Sequence, residues 1–285
     1  MRILVLGVTG MLGGAVFRAF NGDPTYSVWG TLRSSAGLKY FSDVELSSLL
    51  PGVDVLDQDA LVAVLSSVRP DVVINCVGLI KQLSDAKDPL SALPINAMLP
   101  HRLARLCDLA GARLIHVSTD CVFSGLKGGY VEGDQSDAED LYGKSKYIGE
   151  LHDYPNAITL RTSIIGHELS SSYALVDWFL AQEGAVRGFS KAIFSGLPTV
   201  ELARVMKDFV LPHPELNGLY HVAAEPIAKL DLLELIASQY EKTIEIRPDA
   251  SLVIDRSLNS ERFTLATGYK APSWPQLIEL MHATR

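Results

Sequence analysis

Tyr142-Gly-Lys-Ser-Lys146 sets a phenol and an ammonium four residues apart. On a helix that spacing puts both on one face, one turn apart, while Lys144 at i+2 points elsewhere. A ketone that receives a hydride needs a proton on its oxygen, and a phenol can supply it. A cation beside the phenol favours the phenolate and draws its pKa down from about 10 toward neutrality. Thr119 lies 23 residues earlier, in Val117-Ser118-Thr119-Asp120 at the end of an expected strand. A hydroxyl there can donate to the same carbonyl oxygen. Thr119 is assigned that role, with Ser118 as the nearer rival and capping of the next turn as the alternative. Ten tyrosines and eleven lysines in 285 residues give about 0.4 such Tyr–Lys spacings by chance. The pattern therefore gains meaning only from the elements around it.

The first of those elements is Gly7-Val-Thr-Gly10-Met-Leu-Gly13. It follows Ile3-Leu4-Val5-Leu6, an apolar run of buried-strand length, and opens a helix expected over Met11 to Phe20. A strand, glycines and then a helix bring backbone N–H groups and a positive helix end to a pyrophosphate. Gly7, Thr9, Gly10, Met11, Leu12 and Gly13 are the expected contacts. The second strand runs from Tyr26 to Leu32 and is followed by Arg33-Ser34-Ser35, with no acid to bind a ribose 2′-hydroxyl. A cation and hydroxyls there suit a 2′-phosphate. NADP(H) is expected, with Arg33 and Ser34 as contacts and NADH as the second choice. A short strand is expected near Val53 to Leu56, and Asp54 or Asp57 there is assigned to the adenine edge, with Val55 among the cofactor contacts. Asn75, Cys76 and Val77, closing the strand Val72 to Val77, line the nicotinamide side with Asn96. Tyr142 and Lys146 complete the cofactor set.

Strands and helices alternate through the first half, the signature of a parallel sheet covered on both faces. Further helices are expected over Leu61–Val68, Ala97–Ala110 and Leu141–Asp153, and strands over Leu114–Val117 and Ala157–Leu160. Beyond Gly166 the rhythm is irregular: helices over Val200–Val210, Leu230–Tyr240, Ser260–Ala266 and Pro275–His282, strands over Gly218–Val222 and Thr243–Ile246. At roughly 150 residues per domain the length suits two lobes. The chain is 48% apolar and 20% charged, with net charge 25 − 33 = −8. That acidity argues against a nucleic-acid partner. No run of 18 apolar residues suggests membrane insertion. Cys76, Cys107 and Cys121 lack CxxC spacing, which points to a reducing, cytoplasmic setting. The seven histidines form no metal-binding motif, so no metal is expected.

Gly7/Gly10/Gly13, Ser118-Thr119-Asp120-Cys121-Val122-Phe123, Tyr142 to Lys146 and Arg161-Thr162-Ser163 together resemble the dTDP-4-dehydrorhamnose reductase-like branch of the extended short-chain dehydrogenases/reductases. The likeness continues through Gly196-Leu-Pro198-Thr199 to the Gly-Tyr-Lys-Ala-Pro-Ser-Trp274 stretch. It implies an α/β fold: a Rossmann-type doubly wound parallel sheet with a smaller, discontinuous α/β substrate domain. Residues 1–165, with 197–216 packing back, would form the cofactor domain, and 166–196 with 217–285 the substrate domain. It implies Thr119, Tyr142 and Lys146 as catalytic residues acting on a 4-keto nucleotide sugar. Lys81, Thr119, Cys121, Phe123, Arg187 and Arg256 are the expected substrate contacts, Cys121 standing where the family usually has an aromatic residue. Two alternatives stay open: an NADP(H)-binding regulatory subunit without turnover, and an NAD(P)-dependent epimerase or dehydratase of nucleotide sugars. A homodimer is also left open.

Overall fold

The computed structural model describes residues 1–80 and 87–285. Its first half runs β1 (Arg2–Leu6), α1 (Met11–Asn21), β2 (Ser27–Leu32), α2 (Asp43–Leu46), β3 (Leu49–Pro51), α3 (Gln58–Val68) and β4 (Val72–Asn75). There follow α4 (Pro89–Ala92), α5 (Leu99–Ala110), β5 (Arg113–Thr119), α6 (Leu141–Ile148), β6 (Ala157–Thr162) and β7 (Ile164–Ile165). Next come α7 (Leu175–Ala181), β8 (Ala185–Phe189), β9 (Ala192–Phe194), β10 (Leu197–Pro198), α8 (Thr199–Val205) and β11 (Gly218–His221). The chain closes with β12 (Ile227–Ala228), α9 (Lys229–Gln239), β13 (Glu245–Asp249), β14 (Ile254–Asp255), α10 (Glu261–Thr267) and α11 (Trp274–Ala283).

Seven strands form one sheet in the order β11-β6-β5-β4-β1-β2-β3, every pair parallel. This is the Rossmann-type doubly wound arrangement the sequence implies, and its order reverses between β1 and β4. Strands buried on both faces need apolar residues at every position. Accordingly Ile3, Leu4, Val5 and Leu6 are each no more than 1% exposed. Alternation along β1 sends Ile3 and Val5 into a layer with Phe17 and Phe20 of α1, Leu202 of α8 and Leu277 of α11. Leu4 and Leu6 enter the opposite layer with Leu65 of α3 and Leu103 of α5.

Two expected elements are corrected. The third strand is Leu49–Pro51, not Val53 to Leu56, because Gly30 and Leu32 of β2 register against Leu49 and Pro51. Gly52 then turns the chain at φ +80°, and the Asp54 carboxylate accepts from the Leu56 N–H to close the next turn. Helix α6 ends at Ile148 instead of Asp153. Gly149 presses so closely on the Asn96 carbonyl that a Cβ there would lie 2.0 Å from its oxygen. The irregular rhythm after Gly166 has a simple source: strands of two to five residues in small sheets, β12-β9-β14, β13-β8 and β10-β7. Gly218–His221, from the stretch expected in the smaller lobe, joins the large sheet beside β6.

An ion pair fastens the edge of that sheet. Arg161 of β6 donates from Nε to Glu150 Oε1 at 2.8 Å, and Nη2 reaches Oε2. Ser118 of β5 donates to the same carboxylate at 2.7 Å. Arg161 Nη1 lies 2.8 Å from His221 Nε2, and His221 Nδ1 lies 3.0 Å from the Tyr130 carbonyl. Arg161 and Glu150 are 1% and 2% exposed. A buried carboxylate stripped of its partner costs about 3–5 kcal/mol. Arg161→Leu should therefore lose about that much in urea denaturation. Pairing it with Glu150→Leu should recover most of the loss, since no lone charge then remains.

Candidate active site

Thr119 is the last residue of β5, and Tyr142 lies in the first turn of α6, where the Asp140 side chain caps the helix by accepting from the Gly143 N–H at 2.8 Å. The two are brought together because Gly143 fits flush against the Cys121 carbonyl, where a Cβ would come within 2.3 Å. The Thr119 side chain is within hydrogen-bonding reach of the half-buried Tyr142 phenol. Its hydroxyl donates to Asp120 Oδ1 at 3.1 Å and accepts from the Cys121 N–H at 3.2 Å, so it also caps the short turn that follows. Ser118 points to the opposite face and is committed to Glu150. Of the two hydroxyls, Thr119 faces the phenol.

Lys146, 6% exposed, donates from Nζ to the Val117 carbonyl at 2.8 Å. Burial lowers its pKa to about 8, while the Glu150 charge one turn on pulls it back up. The phenol moves the other way. Burial raises the Tyr142 pKa well above its ordinary value, the neighbouring Cys121 and Asp120 add to the rise, and the Thr119 hydrogen bond opposes it. Against the expectation of a phenol drawn toward neutrality, desolvation governs Tyr142, and the Lys146 ammonium is turned to the strand backbone.

The glycine loop forms a tight cradle beside this group. A Cβ on Gly13 would sit 2.1 Å from the Gly7 carbonyl oxygen, and Gly7 itself holds φ +82°. The Gly7 and Val8 N–H groups bond to the Thr31 carbonyl of β2. No side chain caps α1 at Gly10, which leaves the first-turn N–H groups of Met11 and Leu12 for an anion. Thr9 packs on Gly37, beyond Arg33 and Ser34, so the loop and the end of β2 are neighbours. Arg33 is exposed, and Ser34 accepts from the Ala36 N–H. Val77 leans on Gly7, and a Cβ on Gly78 would lie 3.9 Å from Lys146 Nζ. The end of β4 thus bridges the loop and the lysine. These residues fit a dinucleotide: room for a pyrophosphate at the glycines, a cation at the end of β2 and an ammonium at the far end.

Several assigned residues act from behind that surface. Asn75, 1% exposed, accepts from the Val77 N–H at 3.1 Å and meets His116 Nδ1. Asn96, also 1% exposed, grips the Leu79 backbone and reaches Ser145 Oγ. Both shape the loop after β4 with side-chain atoms already engaged. The Cys76 thiol is pushed up to about 12 by burial, which suits lining and not a nucleophile. Asp54 and Val55 lie in the turn before α3.

On the expected substrate side, Cys121 is half-buried next to Tyr142, and Arg256 approaches its Sγ to 4.0 Å while donating from Nε to the Phe123 carbonyl at 2.6 Å. Phe123 is corrected as a substrate contact. Its ring is wholly buried, stacked on Tyr130 at 4.0 Å between centroids and lying under the Arg161 guanidinium. Arg187 is exposed on β8 and engages Asp249 and Phe189 within its own small sheet. Lys81 lies outside the described residues. Sequence reasoning gave no role to Asp120 or Glu150, although Glu150 follows Lys146 by one helical turn, a spacing visible in the sequence. Among the described residues no cluster could hold a metal, and no helix is long and apolar enough to cross a membrane.

The sheet order, the glycine cradle and the Thr–Tyr–Lys group define a member of the extended short-chain reductase fold. Residues 1–253 match the RmlD substrate binding domain, and the chain belongs to that family. It is 30% identical to methionine adenosyltransferase 2 subunit beta of Danio rerio over 251 residues, 84% of this chain and 74% of that protein. It is 26% identical to dTDP-4-dehydrorhamnose reductase of Aggregatibacter actinomycetemcomitans over 79% of this chain and 74% of that one. Among solved structures, dTDP-4-dehydrorhamnose reductase of Bacillus anthracis str. Ames in complex with NADP superposes with a TM-score of 0.81 at 21% identity, covering 100% and 98% of the two chains.

One consequence of the buried lysine is directly measurable. In the Lys 13Cε NMR spectrum, the resonance lost in Lys146→Arg should titrate near pH 8, well below the surface lysines. Glu150→Gln should move that midpoint lower still, because it removes the charge that supports the ammonium.

Proposed function

We propose that this protein is an NADPH-dependent reductase of a 4-keto nucleotide sugar. The observation that carries the reading is the contact of Thr119 with Tyr142, one helical turn from Lys146, beside a glycine cradle that only a bare backbone can form. Family membership supports it, as does the dTDP-4-dehydrorhamnose reductase named among its relatives. Gly7 to Gly13 would hold the pyrophosphate, Arg33 and Ser34 the 2′-phosphate, and Lys146 the ribose next to the nicotinamide. NADPH, when bound, supplies the hydride. Thr119 orients the carbonyl oxygen, and Tyr142 Oη gives that oxygen its proton. A phenol kept protonated by burial suits a donor in the reducing direction. Arg256 and Cys121 flank the sugar from the smaller lobe and the end of β5. We propose that the nucleotide sugar lies between the large-sheet lobe, residues 1–165 and 197–216 with the strand Gly218–His221, and the stretches 166–196 and 222–285.

A second reading follows from the methionine adenosyltransferase subunit among the relatives. On it, the chain would bind NADP(H) and regulate a partner without turnover. The intact donor, cation and hydroxyl favour the reductase.

NADPH oxidation at 340 nm with enzymatically generated dTDP-4-dehydrorhamnose, then UDP- and GDP-linked keto sugars, decides between them. Tyr142→Phe should lower kcat by roughly 10²–10⁴ while NADPH still binds. NADPH bound and never consumed with any keto sugar would favour the regulatory reading. Arg33→Ala should weaken NADPH by about tenfold or more, the worth of one charge-assisted contact, and leave NADH unchanged by fluorescence titration.

A further inference from the structure

Asn75 and His116 stand side by side in the register of β4 against β5, and each is 1% exposed. Alternation along the strands puts them on the same face as Val73 and Leu114, in the apolar layer with Leu99 and Leu103 of α5. Asn75 Nδ2 lies 3.1 Å from His116 Nδ1. The backbone dictates where the protons of this pair sit. The Val77 N–H can only donate, and it is bonded to Asn75 Oδ1 at 3.1 Å. Asn75 must then turn its NH2 to His116, and His116 Nδ1 must accept. The ring is therefore neutral and carries its proton on Nε2, a nitrogen that is buried with no hydrogen-bond partner among the described residues. A lone buried N–H is costly, and an apolar side chain would avoid it. What the ring offers in return is its accepting nitrogen. Burial, reinforced by the charges of Lys146 and His101, holds the His116 pKa well below its ordinary value, so the accepting form prevails at neutral pH.

The pair holds the loop after β4. Val77 presses on the glycine loop so closely that a Cβ on Gly7 would come 2.8 Å from its Cγ2. Gly78 follows, and a Cβ there would lie 3.9 Å from Lys146 Nζ. Leu79 is gripped from the other side by Asn96, whose amide also reaches Ser145 Oγ of α6 at 3.3 Å. The loop is thus pinned at Val77 from β5 and at Leu79 from α6, the two elements that carry Thr119 and Tyr142.

We propose that His116 is a positioning residue for the nicotinamide end of the cofactor site: by accepting from Asn75 it fixes Val77 and Gly78 between Gly7 and Lys146. That sets the path over which hydride passes to a carbonyl held by Thr119 and Tyr142. The kinetic consequence rests on the reductase reading, and the brace itself does not. His116 is buried behind Asn75 and acts through it.

Asparagine and glutamine separate the two ring nitrogens. His116→Asn can place its Oδ1 where Nδ1 accepts, whereas His116→Gln reaches toward the Nε2 position and leaves Asn75 without an acceptor. Both are polar amides, so a general loss of packing would weaken them alike. With a keto sugar that the wild type reduces, His116→Gln should lower kcat by roughly 10–100-fold with little change in KM, the effect of slightly misplaced reacting atoms. The primary isotope effect from NADPH deuterated at the transferred position should rise, because hydride transfer becomes the slow step. His116→Asn should restore most of the rate. Equal losses in the two variants, or wild-type kcat in His116→Gln, overturn the assignment.

A second arm needs no turnover. In 15N NMR of the protein with NADPH bound, His116 should show an unprotonated Nδ1 and a protonated Nε2 throughout the neutral range. The Val77 amide should exchange with solvent faster in His116→Gln than in His116→Asn or the wild type. A protonated Nδ1, or a Val77 amide equally protected in both variants, overturns the brace whatever the substrate proves to be. The expected tautomer and exchange pattern with no keto sugar reduced would support the brace and count against the reductase reading.

Discussion

A guanidinium and a carboxylate sealed from water hold together the part of the molecule where chemistry is expected. Taking both from water is expensive, and only close pairing with further hydrogen bonds offsets the cost. Glu150 therefore gathers Ser118 and the Nε and Nη2 of Arg161, while Arg161 Nη1 meets His221. Those partners come from β5, β6, β11 and the turn just after α6. Satisfying one buried charge thus sets the relative position of four pieces of chain. The aromatic stack of Phe123 and Tyr130 packs under the same guanidinium and carries the order outward to the segment that Arg256 grips.

The cofactor side depends on the opposite device, the removal of side chains. Gly7 and Gly13 touch through backbone alone, and Gly149 lets α6 close against the Asn96 carbonyl. Asn75 and Asn96 then brace the loop after β4 from within. The result is a floor of peptide groups with an ammonium at one end and an exposed guanidinium at the other. Burial tunes the titrating groups in different directions: Lys146 falls to about 8, and Tyr142 and Asp120 rise.

Much of this was legible in the sequence because it is local. The apolar run of β1, the glycine spacing and the Tyr–Lys interval are read within a few residues, and the alternation of strands with helices marks a parallel sheet. Register is not local, which is why the third strand was expected four residues too late. The end of α6 was also invisible, since only the contact of Gly149 with Asn96, some fifty residues away, fixes it. Phe123 was misread because its neighbours in sequence belong to the active-site motif while its neighbours in space belong to a small core with Tyr130 and Leu258. Asp120 stood inside a recognised motif, yet its link to Thr119 required the turn that points the carboxylate back at the hydroxyl.

The margins of the large sheet carry a consequence for how copies of this chain could meet. At one margin His221 gives its outward N–H to the Glu132 carboxylate, and α10 lies over the strand, with the Arg262 guanidinium 4.5 Å from the Tyr220 ring. At the other, β3 is three residues long and finishes in Pro51, which has no N–H to offer. Among the described residues, then, one outward N–H of β11 is already taken by a side chain, and β3 ends in a residue that cannot donate to an added strand.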